Sequence, residues 1–69
     1  MKENKQLFVK ALGAALAYSR AGVADLDYVE DKDGFEGVTI IFGDGSERTV
    51  NVTADSCLAI MHDLYKELI

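Results

Sequence analysis

Two short glycine-bearing stretches, Asp31-Lys32-Asp33-Gly34 and Gly43-Asp44-Gly45-Ser46, cut the middle of the chain into three segments in which apolar and polar residues alternate. A period of two is the mark of a half-buried strand, and glycine supplies the positive φ that tight hairpin loops demand. Strands joined by loops this short pair with their neighbours antiparallel, so the pattern predicts a three-stranded meander. The strands are expected over roughly residues 23–30, 36–42 and 47–52. One face should carry Ala24, Leu26, Tyr28, Val38, Ile40, Phe42, Val50 and Val52. The other should carry Val23, Asp25, Asp27, Val29, Thr39, Ile41, Thr49 and Asn51, with Phe35 entering at the hairpin.

On either side of the strands the period lengthens. From Glu3 to Arg20, the residues Leu7, Phe8, Ala11, Leu12, Ala15, Leu16 and Tyr18 recur at steps of three and four, which predicts an amphipathic helix ended near Gly22. After the third strand, Thr53 offers a capping oxygen and Asp55 suits the positive end of a helix dipole. Cys57, Leu58, Met61, Leu64, Tyr65 and Leu68 then form the apolar stripe of a second helix. The expected fold is α+β in two layers, helix, three-stranded antiparallel sheet and helix, with both helices on one sheet face and residues 1–69 as a single domain. Gly13 costs about 1 kcal/mol relative to alanine inside a helix. With Ala14 and Ala17 it makes a smooth strip for close approach, either by the protein's own sheet or by a second subunit.

A chain of 69 residues hides only about 60% of its unfolded surface, and one cysteine excludes an internal disulfide. Self-association is a remaining source of stability. The opening MKENKQ is polar and no apolar run approaches the roughly 20 residues of a membrane span, so a soluble, cytoplasmic chain without membrane contact is expected.

The net charge of −5 sits in one place. Asp25, Asp27, Glu30, Asp31, Asp33 and Glu36 against Lys32 account for all of it, and the remainder of the chain is neutral. Carboxylates around a glycine turn suggest calcium, but setting Gly34 as the glycine of an EF-hand loop puts Val29 and Ile40 where its first and last ligands belong. Asp31 and Asp33 could hold a loose ion, with a solvated turn as the plainer account. Asp25 and Asp27 stand about 7 Å apart on one strand, a spacing glycosidases use, yet a two-layer domain of this size has little depth for a sugar site. Cys57 and His62, the one thiol and the one imidazole, fall about 140° apart around a helix and cannot form a nucleophilic pair within one chain. No catalytic, cofactor or metal site emerges, and the expectation is a protein that is not an enzyme.

The order helix, three strands, helix resembles the topology of the double-stranded RNA-binding domain over nearly the whole chain. That resemblance implies RNA contacts from the first helix, the first hairpin loop and a lysine-rich start of the second helix. Here those last two positions read Asp31-Lys32-Asp33-Gly34 and Thr53-Ala54-Asp55-Ser56-Cys57, which repel phosphate and argue against direct nucleic-acid binding. The run VNVTADSCLAIMHDLYKEL is similar to the ends of short proteins of bacterial prophages and plasmids, which implies a mobile-element accessory protein without indicating an activity.

The residues thus point to a small acidic protein-interaction module, with a homodimer as one form. Asp25, Asp27, Val29, Asp31, Asp33, Phe35, Glu36 and Ile41 are its expected contact surface, the acids steering a basic partner or limiting sheet-to-sheet association to one register. A second reading is an acidic inhibitor that imitates nucleic acid and occupies a basic DNA- or RNA-binding protein. A third is that the charged hairpin serves solubility alone.

Overall fold

The structure, a computed structural model, describes residues 4–19 and 22–68. Its elements run α1 (Lys5–Tyr18), β1 (Val23–Glu30), β2 (Glu36–Phe42), β3 (Glu47–Asn51) and α2 (Cys57–Leu68), with strand order β1-β2-β3 and both pairings antiparallel. The α-β-β-β-α order and the meander agree with the alternation pattern. Gly34 and Gly45 adopt φ of +91° and +92°, the conformation for which the two turns need glycine. In each turn an aspartate makes a local loop of its own: Asp31 Oδ1 accepts from the amides of Asp33 and Phe35, and Asp44 Oδ1 accepts from the amide and hydroxyl of Ser46.

A single cluster fills the space between the sheet and the helices. Leu26, Val38, Ile40, Val50 and Val52 come from the strands and their margins, Val9 from α1, and Ile60 and Leu64 from α2. Both helices therefore serve the same sheet face, where Val38 faces Val50 on one side and Ile40 faces Leu26 on the other.

The strict alternation of β1 breaks at its start. Val23 pairs with Phe42 and Asp25 with Ile41, which leaves Ala24 as an extra residue in a β-bulge. A bulge reverses the facing of everything before it. Val23, expected outward, is buried, and Ala24, expected inward, is exposed. From Asp25 onward the expected parity holds.

Helix α1 starts at Lys5, capped by Asn4, whose side chain accepts from the Leu7 amide at 3.0 Å. It ends at Tyr18, where the Ser19 amide donates to Ala15 O at 3.0 Å and the Ser19 hydroxyl to Leu16 O at 2.9 Å. The expected ends at Glu3 and Arg20 lie outside the described residues. Gly22 does have positive φ, +84°, but it stands past the helix end and leads into β1, its carbonyl accepting from the Gly43 amide. The buried side of α1 is Phe8, Val9, Leu12, Gly13 and Leu16, so Val9 belongs in the core, while Leu7, Ala11, Ala15 and Tyr18 face solvent. Gly13 touches the protein's own sheet: a methyl group there would lie 2.9 Å from the Leu26 amide nitrogen. Ala14 and Ala17 are exposed and take no part in that contact.

Helix α2 begins later than the capping pattern suggested. Ser56 supplies the cap, its Oγ accepting from the Ala59 amide at 3.2 Å, because Thr53 is engaged elsewhere. Thr53 Oγ accepts from the Glu36 amide and donates to Asn51 Oδ1, fastening the end of β3 to the start of β2.

Gly13→Ala sets two effects against each other. Helix propensity favours alanine by about 1 kcal/mol. The new methyl group would press on backbone, which cannot swing aside, and overpacking of that kind costs about 1–3 kcal/mol. The expected result is a net loss of about 1 kcal/mol in urea unfolding, and a raised midpoint would show that α1 can lift from β1 at no cost.

Candidate functional site

The acids of the first hairpin divide into three environments. Asp25 and Asp27 flank Lys10 of α1, each carboxylate 3.5 Å from its ammonium group, with all three side chains about half exposed. Pairs this open contribute about 0–1 kcal/mol and are screened by salt, yet they cancel part of the charge on the outer edge of β1. Asp25 Oδ1 also accepts from the Leu26 amide at 2.9 Å, the group that Gly13 approaches. Asp31 is occupied in shaping its own turn, and Glu30, Lys32 and Asp33 are exposed at the hairpin.

Glu36 departs most from the expected contact surface. The parity that sends Val38 and Ile40 inward sends Glu36 inward too, and its side chain is only 12% exposed. One carboxylate oxygen accepts from Lys5 Nζ at 2.7 Å and from the Tyr28 hydroxyl at 2.5 Å, and the other accepts from the Ala54 amide at 2.9 Å. Glu36 thereby joins α1, β1, β2 and the loop before α2, and it is unavailable to an outside partner. The bond from Lys5 above all, then those from Tyr28 and Ala54, hold its pKa down to about 2 from an ordinary 4.5. Burial, followed by the bond to Glu36, pushes the Tyr28 hydroxyl well above its usual range. Ala54, at φ +65°, stands in the left-handed region that disfavours a side chain, and its amide bond to Glu36 helps to hold it there.

Beside this junction Asp55 has one buried carboxylate oxygen that accepts no hydrogen bond. A side-chain hydrogen bond with Asp63, then burial and the charges of Asp63 and Glu36, raises the Asp55 pKa, with Lys5 opposing. Among the described residues no group of three or more His, Cys, Asp or Glu is arranged to hold a metal ion.

The outer sheet face carries Val29, Phe35 and Ile41 around Thr39 and Thr49, whose hydroxyls meet at 3.1 Å. Phe35 is 37% exposed and its ring lies over Gly37, where an added methyl would come within 2.9 Å of it. Much of its surface is thus already covered by the backbone of the central strand.

The larger exposed apolar surfaces are on the helices. On α2, Leu58, Met61 and Tyr65, expected in the core, are exposed, and with His62 they border a shallow, open depression of about 300 Å³. The apolar arc of α2 spans about 160° from Ile60 round to Leu58, wider than the sheet covers. On α1, Leu7 is 66% and Tyr18 92% exposed, with the exposed Ala11 and Ala14 between them. The two charged residues of α1, Lys5 and Lys10, both reach toward carboxylates at the sheet, Lys10 staying half exposed at the margin, so the strip of Leu7, Ala11, Ala14 and Tyr18 carries no charge of its own. In the sequence this face is hidden within the broad apolar repeat that also supplies the core stripe; the four-three-four spacing of Leu7, Ala11, Ala14 and Tyr18 is the signal that separates it.

Compared with protein-family models, with curated proteins and with solved structures, the chain finds no match. Among the described residues no helix is long and apolar enough to cross a membrane.

The titrations of Glu36 and Asp55 have opposite consequences. A lowered pKa stabilises the fold above its ordinary value, an advantage lost as pH falls through the folded value. Glu36→Gln should therefore lower the melting temperature at neutral pH, with the gap from wild type narrowing between pH 4.5 and about 2. A raised pKa works the other way, its stabilisation disappearing as pH rises. Asp55→Asn should melt higher than wild type at neutral pH and lose that advantage in acid. Melts followed by circular dichroism across this range check both, and gaps that ignore pH would contradict them.

Proposed function

We propose that the chain is a non-enzymatic protein-interaction module whose contact surface is the solvent side of its helix layer. The observation that carries this reading is the exposed strip of Leu7, Ala11, Ala14 and Tyr18 on α1, none of them charged, in a chain of which 28% is charged. Soluble surfaces mix charge with polarity to stay apart, and contiguous apolar patches of a few hundred Å² tend to be contact sites. The exposed stripe of α2 adds to that surface. Imitation of nucleic acid by the hairpin draws less support, since Lys10 stands between Asp25 and Asp27 and Glu36 is turned inward.

A photo-cross-linking amino acid placed at Tyr18, and separately at Phe35, tests this in the cells that make the protein. Discrete protein adducts at position 18 are expected. Adducts at position 35 alone would move the contact to the outer sheet face and overturn the reading, as would adducts at neither.

A further inference from the structure

We propose that the occupant of the α1 face is a second copy of this chain, docked with its own α1 antiparallel about a two-fold axis between Ala11 and Ala14. The inference rests on the interaction-module reading and names its partner. Leu7, Ala11, Ala14 and Tyr18 follow the alternating four- and three-residue steps of a helix-pair seam, lie within about 60° of one another, and stand opposite the side that packs on the sheet.

Their sizes are self-complementary. Small residues at the centre let two helix backbones approach, and large ones fill the space where crossing helices diverge. In the antiparallel arrangement Ala11 meets the partner subunit's Ala14, and Leu7 lies beside the partner subunit's Tyr18. A lipid surface suits this face less well, because Lys10, the cation at its margin, is drawn to Asp25 and Asp27.

Charge decides both the face and the direction. The net charge of −5 makes two copies repel, and its excess lies in the first hairpin. Glu36, at the base of that hairpin, bonds Lys5, so the acidic loop stands near the N-terminal end of α1. An antiparallel pair puts the two acidic loops at opposite ends, whereas a parallel pair would bring them together. The opposed helix dipoles favour the same arrangement. Covering the face hides on the order of 500 Å² per copy, at the low end of specific interfaces, so association in the micromolar range is expected.

Sedimentation of the full chain from about 1 µM to about 300 µM should show a monomer–dimer equilibrium. Ala14→Glu, which sets two like charges near the crossing point, should weaken it at least about a hundredfold, while Thr49→Glu on the outer sheet face should leave it unchanged. In a Cys57→Ala background, Ala11→Cys mixed with Ala14→Cys should form mixed disulfide dimers in preference to either self-pair. A wild-type monomer throughout the range would overturn the proposal. So would a dimer that survives Ala14→Glu, or equal self-pairing of each cysteine variant, which would mark a parallel seam. The broader module reading fails separately, through the absence of any adduct at Tyr18; an adduct with a different protein would retain that reading and remove the second copy.

Discussion

A three-stranded sheet has one face to keep dry, and in this chain two short helices must cover it while a charged side chain sits at its margin. That side chain is Glu36. Its inward position follows from the same alternation that buries Val38 and Ile40, so it could not face water without turning the core outward. A carboxylate there is tolerable only when its oxygens are satisfied. Lys5, Tyr28 and Ala54 do so, each from a different part of the chain. The start of α1, the middle of β1 and the turn before α2 are consequently held to one point, and the direction in which both helices cross the sheet depends on it.

The opposite margin is closed by shape. Gly13 lets α1 come against the Leu26 backbone beside the bulge at Ala24, and the bulge brings Val23 into the core. Lys10 reaches from the same helix over the edge of β1 to Asp25 and Asp27. A bulge and flanking charges at an edge strand also discourage pairing with a foreign strand. Strand addition at this sheet edge is thereby disfavoured, while the apolar surface of the helices exceeds what three strands can cover.

The division of acids into paired, turn-forming and inward groups changes what the negative charge signifies. In the sequence the hairpin reads as one anionic face. In the fold, Lys5 and Lys10 answer part of it, and the exposed remainder is concentrated near the turn. Charge placed there can orient approaching molecules, while the uncharged side of α1 remains accessible to contact.

The turn glycines, the alternation of β2 and the apolar repeats at either end were enough to determine the α-β-β-β-α order and the antiparallel meander, because these are local properties of backbone conformation and side-chain period. Of the expected contact residues, Val29 and Ile41 lie on the outer face as strand parity requires, Phe35 joins them from the hairpin, and Glu36 turns inward because register outweighs its charge. Only the tertiary structure decided which part of each helix's apolar arc is buried. Leu7, Leu58 and Val9 are equally apolar in the sequence, and helical spacing alone admits more than one rotation of so wide an arc. The Ala24 bulge, the close approach at Gly13 and the Glu36 junction select one of them, through contacts between residues far apart along the chain.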